Sequence, residues 1–281
     1  MQTFQEFAAA NGVLIDSIIH GKIVRCPTKE HPAKKNGAYL FNKEWGWCQS
    51  WEIHSEPVFW NDESIRTPDQ QAALDSKIAK SREEYARNRA RMQQEAARKA
   101  QWILSECELT EHKYIQRKGF NEHPVNVWQK DDQQLLIVPM YHKNVICGCQ
   151  IINEDGEKKF LTGQRTSCAY FKICDGKQIF LTEGFASGLA LQTILASIGC
   201  QSTIYVTFSV GNATKMAKYL PTAIWVADHD ENLVGQKAAE ASGLRWWCPT
   251  VVGWDVNDAY LAQGKLKTGM QIKKFLMESR K

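Results

Sequence analysis

Three short apolar runs near the carboxyl end of the chain constrain its fold more than any other feature, because acidic residues follow each of them at once. The first run ends at Glu183, the second at Asp228 with Asp230, and the third at Asp255 with Asp258. Apolar runs of this length between turn residues predict buried parallel strands, and the segments between them have helical periodicity. Side chains that follow such strands gather at the carboxyl edge of the sheet. We therefore expect a cluster of carboxylates at one edge, which is a site for a hard cation.

The segments around these runs predict an α/β class for the carboxyl-terminal part of the chain, residues 177–281. Helices are predicted at 186–196, 211–217 and 235–241, with a helix starting at Asp258, and further strands at 203–209 and 244–252. This alternation is typical of a parallel sheet with helical crossovers. Upstream, apolar runs at 134–140, 145–152 and 158–161 with turn residues between them predict a β-meander. We therefore expect a core at 111–281, made of a β-rich subdomain (111–176) and the α/β domain.

The amino-terminal residues 1–63 predict a small β-rich module, with strands at 15–24, 37–42 and 45–51 between turns that contain proline and glycine. Its many aromatic residues have two explanations. They form the core of a small sheet, or some of them, Trp51 included, join Lys34 and Lys35 in a surface on which single-stranded bases stack.

Residues 64–110 lack glycine and have no proline after Pro68, which predicts a long helix to about Cys107. Its apolar stripe is narrow and its charges are dense, which favours an exposed basic connector between two domains. Arg87 and Arg89 are candidates for contacts with nucleic-acid phosphates on this helix.

The composition excludes several classes of protein. The 281 residues carry a formal net charge of +4, and no apolar run approaches the roughly 18 residues of a membrane helix, so we expect no membrane span and a cytoplasmic location. Nine cysteines without a repeating spacing predict reduced thiols. Cys26, His31, Cys48 and His54 have the chemistry of zinc ligands, but their spacing does not match common structural zinc sites, so zinc is not expected.

The acidic clusters suggest specific chemistry. The carboxylates of Asp228 and Asp230 can both reach one magnesium ion from a strand-end loop, where water and substrate phosphate complete the octahedron. Glu183 is a candidate general acid or base, or a ligand of a second metal, with helix capping as the structural alternative. Gly184 allows a ligand to approach the backbone closely. Lys158, Lys159 and Arg165 either neutralise phosphates or are solvated loop residues.

The motifs taken together resemble a known family. The segments 181–184, 227–230 with Gly235, and 254–258 look like the Toprim domain of bacterial primases, type IA and II topoisomerases and some nucleases. The segments 139–140, 155–161, 183–188 and 211–212 resemble more closely the primase-like Toprim proteins of phages and plasmids. This resemblance covers residues 112–264, and it implies a Toprim-like parallel sheet flanked by helices.

The resemblance also implies roles for single residues. Glu183 would be the general acid or base of nucleotidyl transfer, and Asp228 and Asp230 would bind magnesium. Asp255, Asn257 or Asp258 would support the metal site, with Asn257 near the nucleotide, while Lys158 or Lys159 would touch nucleotide phosphates or the template.

The function expected from these observations is magnesium-dependent synthesis of short RNA primers on single-stranded DNA during phage or plasmid replication, with manganese as the alternative metal. Nucleoside triphosphates would be the substrates, and a separate replicative helicase is a further expected partner. Two other functions stay open: a Toprim nuclease that hydrolyses phosphodiester bonds, and a noncatalytic nucleic-acid-binding accessory protein of replication.

Overall fold

A computed structural model describes residues 2–51, 53–54, 56–62 and 67–278 of the chain. It has a mixed α/β fold with three sheets and seven helices in this described part. The chain forms two compact units, Met1–Asn88 and Arg89–Lys281. The boundary predicted at residues 63 and 64 lies outside the described residues, and the division into three parts stays a prediction. Among the described helices, none combines the length and the apolar character needed to cross a bilayer.

The first unit is built on an antiparallel sheet in which strands that are neighbours in sequence pair with one another. Its elements are α1 (Phe4–Ala10), β1 (Val24–Cys26), β2 (Gly37–Asn42), β3 (Trp45–Ser50), β4 (Val58–Asn61) and the start of α2 (Pro68–Ser105). Most of its aromatic residues form the core: Tyr39 and Trp47 are each 1% exposed. Cys26 and Cys48 are buried in the same unit, beside Phe4.

The strand predicted at 15–24 is wrong except for its last residue, because the chain before Val24 is irregular. Gly21 has a left-handed backbone with φ of +74°, which a regular strand does not accommodate. The buried Tyr39 hydroxyl accepts a hydrogen bond from the Ile19 amide (3.1 Å) and donates one to the Ser17 carbonyl (3.0 Å). A buried tyrosine therefore satisfies backbone groups that a sheet would otherwise pair.

Helix α2 starts as its sequence predicts and ends two residues earlier than expected. A reciprocal cap begins it: the Gln70 amide donates to Thr67 Oγ1 (3.4 Å) and the Thr67 amide donates to Gln70 Oε1 (3.0 Å). Its apolar residues are sparse and serve the two units in turn. Leu74, Ile78 and Tyr85 pack in the first unit, whereas Ala96, Ala100 and Ile103 pack in the second.

The second unit opens with an antiparallel sheet in sequential strand order. Its strands are β5 (Glu108–Thr110), β6 (Val125–Lys130), β7 (Gln133–His142), β8 (Val145–Ile152) and β9 (Lys158–Phe160), with helix α3 (Lys113–Arg117) after β5. The predicted meander corresponds to β7, β8 and β9. The sequence did not reveal β5, whose residues are all exposed, because an exposed edge strand lacks the apolar alternation on which strand prediction depends.

The second sheet of this unit is the expected parallel one, with an antiparallel strand at one edge. Its strand order is β10-β12-β11-β13-β14. The strands are β10 (Phe171–Ile173), β11 (Gln178–Thr182), β12 (Ser202–Val206), β13 (Ile224–Val226) and β14 (Arg245–Trp247), and the helices are α4 (Phe185–Ser197), α5 (Val210–Ala217), α6 (Val234–Ala241) and α7 (Val256–Glu278). Glycine allows the close packing of α4, since a Cβ at Gly188 would lie 2.7 Å from Val206 Cγ2.

The last strand is shorter than predicted. It ends at Trp247, not at residue 252, and the chain then continues as a loop to Asp255. Pro249 lies just beyond the strand and has no amide hydrogen with which to continue the ladder. The third apolar run, 251–254, is therefore part of a loop. It nevertheless brings Asp255 close to the second acidic cluster, because hydrogen bonds join this loop to the loop after β13.

Candidate active site

Glu183 and Asp228 lie next to each other because the strands that precede them are neighbours. β11 and β13 are parallel, with Phe180 opposite Ile224 and Leu181 opposite Trp225. Both strands therefore end at the same edge of the sheet, as the sequence predicts. The backbone of Glu183 is held in place from the loop after β12, since the Phe208 amide donates to the Glu183 carbonyl at 2.9 Å.

A cavity of about 170 Å³ lies at this edge. Its lining consists of Tyr114, Lys118, Gln150, Lys158, Glu183, Gly184, Ala186, Ser187, Phe208, Asp228 and Asp255. The carboxylates follow strands of the α/β sheet or precede α7. Lys158 and Gln150 come from the antiparallel sheet, Tyr114 from α3 and Lys118 from the residue after α3. The cavity is thus acidic on one wall, and basic and neutral-polar on the other.

Backbone pairing between two loops positions Asp255 beside Asp228. The His229 amide donates to the Trp254 carbonyl (2.9 Å), and the Gly253 amide donates to the His229 carbonyl (2.6 Å). The His229 side chain adds a hydrogen bond between Nδ1 and the Pro249 carbonyl (2.8 Å), in which the nitrogen must be the donor. The loop after β13 and the loop before α7 therefore form one structure, although the second is not a strand.

The third acidic cluster also begins α7. The Asp258 amide donates to Asp255 Oδ1 (2.9 Å), and the Asp255 amide donates to Asp258 Oδ2 (3.0 Å), so the two residues form a reciprocal cap. Ser187 Oγ donates to the other oxygen of Asp255 at 3.1 Å. Asp255 faces the cavity, whereas Asp258 is not among the residues that line it. Metal binding by these two aspartates stays a prediction.

Asn257 is fully buried beneath the site. Its Nδ2 donates to the carbonyl of Lys118 at 2.9 Å, and its Oδ1 is buried without a hydrogen-bond partner. Since Lys118 lines the cavity, Asn257 acts on the site through the backbone of that lysine. The nucleotide contact predicted for Asn257 stays a prediction.

The electrostatics of the acidic wall are unusual. Burial, followed by the charges of Asp228 and Asp230, raises the pKa of Glu183 to about 8. Burial, followed by the charges of Asp255 and Asp230, raises the pKa of Asp228 to about 7. The ammonium of Lys158 opposes both increases. Desolvated carboxylates near one another resist full ionisation unless a cation compensates them.

The donor set fits a hard cation, although it does not form a closed cage. Within the described part of the chain, no three histidine, cysteine, aspartate or glutamate side chains are arranged to enclose a metal ion. Magnesium does not require such a cage, because it is usually held by one or two carboxylates together with water and phosphate oxygens. Glu183 Oε1 is buried and has no hydrogen-bond partner. An orphaned carboxylate oxygen beside a second, half-buried carboxylate is what a bound cation would satisfy.

Asp230 is positioned by the start of α6. The Gly235 amide donates to Asp230 Oδ2 at 3.4 Å. A Cβ on Gly235 would lie 3.1 Å from the Asp228 carbonyl, so glycine allows α6 to approach the acidic loop closely. The charge of Asp230 acts on both Glu183 and Asp228.

The predicted phosphate-binding residues do not all lie in the cavity. Lys158 and Gly184 line it. Lys159 follows Lys158 in β9 and therefore has its side chain on the opposite face of the strand; its ammonium lies 3.8 Å from Glu157. Arg165 Nε donates to the Ser167 carbonyl at 3.2 Å, and Arg165 is not among the lining residues.

Sequence reasoning did not identify Tyr114, Lys118, Gln150, Ser187 and Phe208 as site residues, yet all five line the cavity. Phe208 is distinguished by its backbone conformation, a positive φ of 67°, which the sequence does not indicate. Gln150 gives a weak signal, as a polar residue within an apolar strand. Tyr114 lies in the short helix α3 and Lys118 follows its last residue, and this segment carries no recognisable motif by itself.

In the first unit, Trp51 has the features expected of a stacking surface. Trp51 is 42% exposed, and the guanidinium of Arg25 lies 4.1 Å from the centroid of its ring. Arg25 also donates to the Lys35 carbonyl through Nε, at 3.2 Å, so Trp51, Arg25 and Lys35 are neighbours. Lys34 is exposed beside them in sequence. Nucleic-acid binding by these residues stays a prediction.

The two arginines predicted to contact nucleic acid both lie on α2. Arg87 is exposed and forms an ion pair with Glu83 at 2.7 Å. Arg89 is partly buried. A phosphate contact at either position stays a prediction.

No family model matches the chain, and no curated protein matches it. The chain is similar to a solved structure, the crystal structure of a DNA primase domain from Pseudomonas aeruginosa, with 14% sequence identity and a TM-score of 0.32. The similarity covers 59% of this chain and 55% of that chain, so the chain spans about half the length of that domain. The likeness is distant in both sequence and structure.

Proposed function

We propose that this chain is a magnesium-dependent, primase-like nucleotidyltransferase that joins ribonucleotides on a single-stranded DNA template. One observation carries the proposal: two half-buried carboxylates from adjacent strand ends, Glu183 and Asp228, share a cavity with Lys158 and Lys118. Carboxylates on one wall suit a divalent cation, and ammonium groups on the other suit phosphates. The Toprim-like motifs of the sequence include the same two carboxylates.

The residues divide the chemistry among them. Asp228 and Asp230 would hold magnesium, with Asp255 in support. A magnesium ion bound there would neutralise phosphate charge and lower the pKa of an attacking 3′ hydroxyl. Lys158 and Lys118 orient and neutralise the triphosphate. Glu183 accepts the proton of the 3′ hydroxyl as its oxygen attacks the α-phosphorus of the incoming triphosphate and pyrophosphate leaves. Positive charge in the cavity lowers the raised pKa of Glu183 toward neutrality.

In this proposal, Trp51, Lys34, Lys35, Arg87 and Arg89 contribute to holding the DNA strand. The ring of Trp51 with the Arg25 guanidinium above it supports this role, because aromatic rings and guanidinium planes both stack with bases.

The test is primer synthesis by the purified full-length chain with single-stranded DNA, nucleoside triphosphates and magnesium. Labelled oligoribonucleotides are expected from the wild-type protein. Glu183→Gln keeps the size of the side chain but cannot accept a proton, so we expect roughly a 10²- to 10⁴-fold loss of product. Asp228→Asn is expected to abolish the increase in melting temperature that magnesium causes at pH 8, which is a readout independent of turnover.

Glu122→Gln is the matched control, since Glu122 is exposed and is not among the residues that line the cavity. If Glu183→Gln makes primers as well as the wild type, the proposed role of Glu183 is wrong. If the wild type makes no primers but degrades DNA when no triphosphates are present, hydrolysis replaces synthesis as its activity.

A further inference from the structure

Two neutral polar side chains lie in the cavity without a hydrogen-bond partner. Gln150 of β8 is 4% exposed and Tyr114 of α3 is 5% exposed, and both line the cavity. Among the described residues, no hydrogen bond joins the Gln150 amide or the Tyr114 hydroxyl to another group, and neither belongs to the fully enclosed polar atoms that lack a partner, so both are open to the cavity. Polar groups that the protein leaves unpaired at the wall of a cavity are available to a bound ligand.

Gln150 occupies a position that the fold would otherwise fill with an apolar residue. Its neighbour on the same face of β8, Ile152, is fully buried in a hydrophobic cluster with Leu136 and Val138. Gln150 pairs directly with Val138 on the adjacent strand. A partly desolvated amide without a protein partner is less favourable at such a position than an apolar side chain. Packing therefore does not account for the glutamine, whereas a bound polar ligand does.

Tyr114 has the same combination of burial and polarity. Burial, followed by the charge of Asp255, raises the pKa of its hydroxyl to about 12, so the group keeps its proton at neutral pH and can donate. Both groups are uncharged, unlike the carboxylates and lysines of the same cavity. The cavity therefore has charged groups for metal and phosphates and separate neutral groups for another part of its ligand.

We propose that Gln150 and Tyr114 form a subsite for the sugar hydroxyls of a bound nucleoside triphosphate. This inference rests on the proposed function, and it adds that the protein distinguishes ribonucleotides from deoxyribonucleotides at this subsite. An amide donates and accepts, and a phenol donates, which matches the paired 2′ and 3′ hydroxyls of ribose. Loss of the 2′ hydroxyl would leave a buried polar group unpaired, which is an effective basis for discrimination.

The test compares the binding of ATP and dATP to the full-length chain, with magnesium and without template, by isothermal titration calorimetry. The wild type is expected to bind ATP roughly three- to tenfold more tightly than dATP, as one lost hydrogen bond predicts. Gln150→Leu and Tyr114→Phe are each expected to reduce or abolish this ratio by weakening ATP binding and leaving dATP binding nearly unchanged.

Gln133→Leu and Tyr219→Phe are the matched controls, because Gln133 and Tyr219 are exposed and neither lines the cavity. Melting temperatures exclude misfolding, and Gln150→Leu is expected to be at least as stable as the wild type. The subsite is wrong if the wild type binds ATP and dATP equally, or if both variants weaken the two ligands by the same factor. If the wild type binds neither nucleotide, the proposed function itself fails and the subsite fails with it.

Discussion

The folded protein favours the protonated forms of Glu183 and Asp228. Their pKa values of about 8 and about 7 lie well above those of exposed carboxyl groups, which are near 4. At pH values between the pKa of an exposed carboxyl group and the higher pKa of the folded protein, the folded state binds more protons than the unfolded state does. Stability contributed by the neutral groups is therefore full below about pH 4 and is lost as the pH rises through about 7 to 8.

This linkage predicts that Glu183→Gln stabilises the metal-free protein at high pH. The amide is never ionised, so the variant avoids the cost of burying a charge. We expect its melting temperature in EDTA to exceed that of the wild type at pH 8, and the difference to shrink toward pH 5. Circular dichroism melts across this range measure the effect.

Glu122→Gln serves as the control for this experiment too, since an exposed carboxylate loses little of its hydration on folding. Equal pH profiles for the wild type and Glu183→Gln would show that Glu183 is not held in a charge-excluding environment.

At the scale of residues, sequence reasoning found the acidic wall and missed most of the opposite wall. Glu183 and Asp228 each follow an apolar run, and parallel pairing brings such positions together. Tyr114 and Gln150 come from elements far away in sequence, and their proximity to the carboxylates depends on how the antiparallel sheet packs in the same unit. Strand periodicity does distinguish Lys158 from Lys159, since adjacent side chains of a strand point to opposite faces of the sheet. Only the structure shows which face borders the cavity.

Among the elements, α7 shows how one acidic pair can have a structural role. The reciprocal cap between Asp255 and Asp258 satisfies two amides at the helix start. We expect Asp258→Ala to lower the free energy of unfolding by about 0.5–2 kcal/mol, as other cap deletions do. Urea denaturation monitored by circular dichroism gives this quantity.

The same experiment with magnesium present separates capping from metal binding at Asp258. If Asp258 only caps α7, Asp258→Ala is expected to lower the free energy of unfolding equally in EDTA and in magnesium. A loss that appears only with magnesium would instead make Asp258 a ligand of the ion, as the Toprim resemblance implies. Asp258→Asn retains a capping oxygen and is therefore expected to lose less stability than Asp258→Ala.

Secondary structure was predictable where burial imposes a period on the sequence. Helix α2 and strands β2, β3, β7 and β8 follow their patterns. The segment before β1 failed because a tyrosine hydroxyl, which is distant in sequence, binds its backbone. β14 is short because Pro249 follows it, and the apolar character of 251–254 reflects a loop and not a strand. In each failure a tertiary contact or a backbone constraint overrode local composition.

The whole molecule has separate hydrophobic clusters in its two units. Tyr39 and Trp47 are core residues of Met1–Asn88, whereas Phe180, Leu189 and Ile204 are core residues of Arg89–Lys281. Each unit therefore has apolar burial of its own to stabilise it.

Trp47→Ala tests this independence in the full-length chain. Deletion of a buried tryptophan costs about 3–5 kcal/mol, and we expect this cost to affect the unit to which Trp47 belongs. Hydrogen exchange measured by mass spectrometry should become faster in β2 and β3 and stay unchanged in β11.

Ile23→Ala provides the comparison in the same unit, because Ile23 is 58% exposed. Faster exchange in β11 upon Trp47→Ala would mean that the two units unfold as one cooperative structure.

The pairing of His229 with Gly253 and Trp254 has a consequence for how this protein can change over time. The contact uses amide and carbonyl groups, which nearly every amino acid possesses, so replacing a neighbouring side chain does not remove it. Val251 and Val252 are exposed and are free to vary in this respect. The length of the loop is not free, because one residue more or fewer would shift the register and move Asp255 away from Asp228. The position of Asp255 thus depends on the length of this loop more than on the side chains of Val251 and Val252.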